Sequence, residues 1–172
     1  MTWEVTFPAL ALLVGILVNE WFHKIRDDRT TARSDARWAA QFQREGLVEV
    51  NRLVDLFEQS LESVVMPQMA EFDRTARLPA HDSYSAEMRA HMTARRQLDA
   101  RLKSVVDPDI RSLGKLYLDV SLPAVQDPPP GQADEQRYGV IVDALRARAS
   151  VVDELLEVVG GRLRDVGIGQ TQ

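Results

Sequence analysis

The chain has 172 residues, 27% charged and 45% hydrophobic, with a formal net charge of -5. That length allows an anchor and one domain with a real core, but not two ordinary domains. The composition excludes wholesale disorder, and the acidic balance argues against a nucleic-acid binder. No cysteine is present, which rules out disulfides, thiolate metal sites and cysteine nucleophiles.

The first element in chain order is the uncharged run from Phe7 to Val18, bracketed by Trp3 and by Trp21 and Phe22. The apolar run alone is short for a membrane span. From Trp3 to Phe22, however, it covers about 20 residues, or roughly 30 Å of helix, the thickness of a hydrocarbon core. Indole rings favour the headgroup region, and Pro8 falls in the first turns, where its missing N–H does little harm. A cleavable signal peptide fits poorly, since Met1-Thr2-Trp3-Glu4 carries no basic residue and no A-x-A-like site follows. The expectation is a single transmembrane helix. Lys24, Arg26, Arg29, Arg33 and Arg37 follow the run and no Lys or Arg precedes it, so the positive-inside tendency puts the short N-terminus outside and the C-terminal domain in the cytoplasm. Trp3, Trp21, Phe22, Lys24, Arg26 and Arg29 are the expected membrane-interface residues, and the lipid bilayer is the first expected partner.

Residues 23–37 are polar all round and read as a helical juxtamembrane stalk. Beyond them Leu47, Val50, Val54, Phe57, Leu61 and Val64 alternate in spacings of three and four, the clearest amphipathic helix in the chain. Leu53 and Leu56 widen its stripe, and Trp38 and Phe42 are expected to extend it across Gly46. Pro67 should kink or end the helix. Ser83 is the expected N-cap of a second helix through Val106, with a thinner stripe of Met88, Met92, Leu98, Leu102 and Val105. Asp107-Pro108-Asp109 signals a restart, although a kinked continuation stays open. Asp127 to Gly131 reads as an exposed connector around the proline run. The last helix starts near Asp134 and carries Tyr138, Ile141, Leu145, Val152, Leu155 and Val159; Gly160-Gly161 should end or break it.

These elements predict an all-α protein: one N-terminal transmembrane helix followed by an irregular antiparallel three- or four-helix bundle. The expected division is an anchor over 1–22, the stalk over 23–37, a bundle over 38–168 with loops near 73–82 and 121–133, and a flexible tail over 169–172. An N-terminal anchor followed by helices is similar in outline to the peripheral-stalk subunits of rotary ATPases. Pro67, Pro79, Pro108, Pro123 and the run at Pro128 depart from the long uninterrupted helices of that family.

Residues with chemistry are sparse. Glu20-x-x-His23 has the spacing of a di-iron motif but no second copy, and it sits at the expected membrane boundary. Glu87 and His91 are placed to pair on a helix surface. His81, Asp82, Ser83 and Ser85 make no triad that spacing can support, and the glycine pairs near the C-terminus are not a phosphate loop. No catalytic residue, metal site or cofactor is expected. The patterned surface is the basic helix bearing Arg89, Arg95, Arg96, Arg101 and Lys103, a candidate interaction surface; the plainer reading lays these residues over Glu49, Glu58 and Glu62. No aromatic residue interleaves them, so nucleic acid is not expected. The leading expectation is a membrane-tethered, non-enzymatic protein-interaction or scaffolding module, with an unidentified protein partner or self-association. The alternatives are a membrane-linked sensor or effector whose bundle repacks, favoured by Arg95 and Arg148 near core register, and an enzyme with a scattered acidic site.

Overall fold

A computed structural model of the chain describes the backbone of residues 3–79, 81–126, 129 and 131–168, and the side chains of 24, 31, 34–79, 83–126, 129 and 131–166. The described chain is all-helical: α1 over Trp3–Thr75, α2 over Ser85–Ser104, α3 over Pro108–Ser121 and α4 over Asp134–Ile168, with 3-10 turns at His81–Tyr84 and Leu122–Ala124. It divides into two compact units, Met1–Phe42 and Gln43–Gln172.

In the first unit α1 is helical from Trp3 onward. Among the described residues no helix is long and apolar enough to cross a membrane. The expected anchor over 1–22 lies outside the residues whose side chains are described, as do the side chains of Arg26 and Arg29; Lys24 is exposed. Trp38 and Phe42 do not extend the core stripe as expected. They are 69% and 50% exposed and stack on each other, ring centroids 5.6 Å apart.

The second unit is a four-helix bundle of alternating direction. The stretch of α1 beyond Phe42 meets α2 antiparallel, with Gly46 beside Arg101 and Ser60 beside His91. The helices α2 and α3 form a hairpin in which Arg95 reaches Leu118 and Leu102 packs on Gly114. Running back along α1, α4 brings Arg148 to Glu58 and Arg137 to Gln68. The predicted stripe is the core: Leu47, Val50, Val54, Phe57, Leu61 and Val64 are each at most 1% exposed. Burying each such side chain is worth roughly 1.5–3 kcal/mol in transfer terms. Around them pack Leu98, Leu102, Ile110, Tyr117, Ile141, Leu155 and Val159. Leu53 joins the core, whereas Leu56 stays 36% exposed.

Three local signals are overridden by packing. Pro67 does not end α1, which continues to Thr75. Ser63 and Pro67 both lie on the exposed side, so the carbonyl that loses its amide faces water, while buried Val64, Val65 and Gln68 hold the turns. Gln68 Nε2 also donates to Val64 O at 2.9 Å. Gly160-Gly161 does not break α4, which runs to Ile168; buried Val159 and half-buried Leu163 keep the same face on the core. Ser83 is not the N-cap of the second helix. It lies in a 3-10 turn, and α2 begins at Ser85 after Tyr84, which makes no side-chain cap bond.

The restart at Pro108 is a true helix boundary: α2 ends at Ser104, and Asp107 Oδ1 accepts from the amides of Asp109 at 2.9 Å and Ile110 at 3.3 Å. Arg162, beyond the two glycines of α4, donates from Nε to Asp107 Oδ2 at 2.7 Å and stitches the end of α4 to the start of α3. Burial pushes the Asp107 carboxyl up, but Arg162 and the two amides outweigh it and hold it below the usual carboxylate range. At the other end α1 stops at Ala76, whose φ of 56° is left-handed and whose amide donates to Phe72 O at 2.7 Å.

Candidate functional site

The buried face of α2 is His91, Ala94, Leu98 and Leu102. The five basic residues fall around the remaining circumference and meet different fates. Arg95 turns inward to α3, donating from Nη1 to Leu118 O at 3.0 Å with Asp119 3.9 Å away. Arg101 lies against α1, where a Cβ on Gly46 would meet its Nη2 at 3.2 Å. Lys103 pairs with Asp99 one turn back at 2.6 Å. Arg89 and Arg96 are exposed and make no ion pair among the described residues. The expected basic stripe thus reduces to two uncommitted guanidiniums a heptad apart, on one side of the helix.

The acidic residues that the plainer reading placed beneath α2 are engaged elsewhere. Glu49 takes both its hydrogen bonds from Arg52, at 2.7 and 2.8 Å, and that bond holds its carboxyl below its ordinary value, with Arg101 adding to the effect. Glu58 accepts from Tyr117 Oη and from Arg148 Nη1. Glu62 is exposed.

Between α1 and α2 two open pockets follow one another. The first, of about 520 Å³, is lined by Glu49, Arg52, Leu53, Gln97, Ala100 and Arg101 together with Ser104. The second, of about 370 Å³, is lined by Leu56, Ser60, Arg89, Ala90, Thr93 and Ala94, and shares Gln97 with the first. Small residues of α2 leave this groove open: Ala90, Ala94 and Ala100 carry only a methyl where a larger side chain would close the gap to α1.

Behind the groove the bundle carries a polar interior that sequence spacing did not reveal. His91 is fully buried and does not pair with exposed Glu87 as expected. Its ring packs on Phe57, centroids 4.7 Å apart, and its Nδ1 lies 3.1 Å from Ser60 Oγ. Ser60 donates its own proton to Phe57 O at 2.7 Å, so the imidazole donates from Nδ1, and Nε2 is left without a partner among the described residues. Burial, aided by the charge of Arg95, pushes this imidazole down to about 4. On the α4 side, Glu58 bridges Tyr117 of α3 and Arg148 of α4, with the Arg148 and Glu58 side chains 14% and 22% exposed. Burial and the adjoining Glu58 carboxylate push the Tyr117 phenol well above its ordinary value. The pattern that would have exposed this pair is Glu58 beside core Phe57 and Arg148 in core register, one charge of each sign.

Among the described residues no group of three His, Asp or Glu side chains is placed to hold a metal ion. The Glu20 and His23 side chains lie outside the described residues. No protein-family model, no curated protein and no solved structure matches the chain.

Proposed function

We propose that this protein is a membrane-tethered, non-enzymatic interaction module, anchored by residues 1–22 with its helical bundle on the cytoplasmic side. The observation that carries the interaction reading is the outer face of α2, where Arg89 and Arg96 stand exposed and unmatched beside an open groove. Exposed guanidiniums left uncommitted near apolar floor residues suit recognition of another chain. The tether rests on the uncharged run between Trp3 and Trp21-Phe22 and on the basic residues that crowd its C-terminal side. Alkaline carbonate extraction of membranes, combined with protease digestion of intact cells, tests the tether. The proposal expects the full chain to stay in the membrane pellet and the bundle to resist digestion from outside. Release by carbonate removes the span, and digestion from outside reverses the orientation.

A second reading, a sensor or effector whose bundle repacks and passes the change to the anchor helix, draws support from the Glu58–Tyr117–Arg148 bridge. It places a charge pair between α1 and α4, with the Tyr117 phenol of α3 on the same carboxylate, where apolar side chains would pack at least as stably. Crosslinking α1 to α4 in two ligand states separates the readings, since a static interaction module gives one crosslinking pattern.

A further inference from the structure

The geometry points to the α1–α2 groove as the docking site for an amphipathic helix with acidic flanks. This inference rests on the interaction reading above and names the partner's chemistry. At about 1.5 Å per residue, the stretch of α2 from Arg89 to Ser104 is roughly 22 Å long, the length of about four helical turns. Its apolar residues are buried Leu53 and Ala94, with Leu56, Ala90 and Ala100 above them, interrupted midway by Gln97. A helix presenting one large apolar side chain per turn fills such a groove between two others, the ordinary helix-in-groove mode.

The charge on its walls selects the sign of the guest. Arg89 and Arg101 line the groove, Arg96 stands on the same helix, and Arg89 and Arg96 make no ion pair among the described residues. Arg101 donates from Nη1 to Ser104 Oγ only at 3.4 Å. The one carboxylate on the α1 wall, Glu49, is satisfied by Arg52. An incoming helix with Asp or Glu beside its apolar stripe meets this basic wall with charge-assisted hydrogen bonds, whereas a basic or neutral helix finds none. The rest of this chain is acidic overall, at a net charge of -5 that already includes the basic helix, so the wall is a local reversal of sign.

The test is a selection on the full chain in neutral detergent. The probe is a displayed library of 18-residue helices with a fixed leucine stripe and flanking positions randomised among Asp, Glu, Lys, Arg and Ser. The expected outcome is enrichment of Asp and Glu beside the stripe. The selected helix should bind at least tenfold more weakly to the Arg89→Ala/Arg96→Ala chain and to Ala90→Trp, which fills the groove from an exposed position. Urea unfolding by far-UV circular dichroism confirms that both variants remain folded. Failure to select any helix, enrichment without acidic excess, or undiminished binding to folded Ala90→Trp overturns the proposal. So does a dimer in sedimentation that Ala90→Trp dissolves, which assigns the groove to a second copy. Displacement of the helix by short-chain phosphatidylserine but not phosphatidylcholine assigns it to lipid, with the same result. If the chain stays in the carbonate pellet while the groove takes no acidic helix, this inference alone fails and the tether stands.

Discussion

Acidification should destabilise the bundle through one buried imidazole, His91. In the unfolded chain this ring takes a proton near its ordinary value of 6.5, whereas burial holds it neutral in the folded chain down to about 4. Between those values the unfolded state binds more protons, so stability falls as pH falls, and the slope approaches about 1.4 kcal/mol per pH unit. The full difference of about 2.5 units corresponds to about 3 kcal/mol, complete only below pH 4. Carboxylates begin to titrate below about pH 5, so the clean window is pH 7 to 5.5, over which His91 alone should remove about 1 kcal/mol. The physical origin is specific. Nδ1 is engaged by Ser60, Nε2 has no partner to share a second proton with, and Arg95 is the nearby charge. Urea unfolding at pH 7, 6 and 5.5 should show the wild-type midpoint dropping at constant m, while His91→Asn, which keeps a donor for Ser60 but does not titrate, loses this part of the slope. Parallel pH dependence in the two proteins, or an imidazole that titrates near 6.5 by NMR in the folded chain, would refute the reasoning.

Gly114 and Gly139 should respond to alanine with opposite signs. A Cβ on Gly114 would stand 2.4 Å from Leu102 Cδ2, so Gly114→Ala must displace that buried side chain at a cost of about 1–3 kcal/mol, whereas Gly139 has nothing within 4 Å and should gain about 0.5–1 kcal/mol; thermal melts read both. Arg148→Ala leaves Glu58 partly buried without its charge partner and should cost about 3–5 kcal/mol, while Glu58→Leu with Arg148→Met should cost much less, a non-additivity that a double-mutant cycle measures. Asp107→Ala removes the N-cap of α3 together with the anchor for Arg162 and should cost about 1–2 kcal/mol, with amide exchange rising first at Asp109 and Ile110.

The parts of the fold legible in the sequence are those written in local periodicity. The stripe from Leu47 to Val64 is buried residue for residue, because a spacing of three and four puts those side chains on one helical face whatever its partners are. The cap at Asp107 was legible for a similar reason, since its acceptors and donors lie within three residues. Breaker residues misled as end signals where distant packing outweighed them: Pro67 and Gly160-Gly161 each cost the helix locally, and the core contacts on either side carry it on to Thr75 and to Ile168. Trp38 and Phe42 share the period of the stripe but belong to the first compact unit, and they are exposed. For the candidate site, the basic character of α2 was legible but the division of its charges was not. Arg95 is consumed by a carbonyl of α3 and Lys103 by Asp99, and only the three-dimensional arrangement leaves Arg89 and Arg96 uncommitted. The Glu58–Arg148 pair joins residues ninety apart in the chain, a separation that no periodicity reports.

Site-specific photocrosslinking in cells tests the central claim most directly. A photoreactive residue placed at Thr93, on the groove wall between Arg89 and Arg96, is compared with one at exposed Glu154 on α4. An interaction module working through the α2 face predicts one discrete adduct from position 93 that Arg89→Ala/Arg96→Ala abolishes, and none from position 154. No adduct from position 93, or the same adducts from both positions, would contradict it.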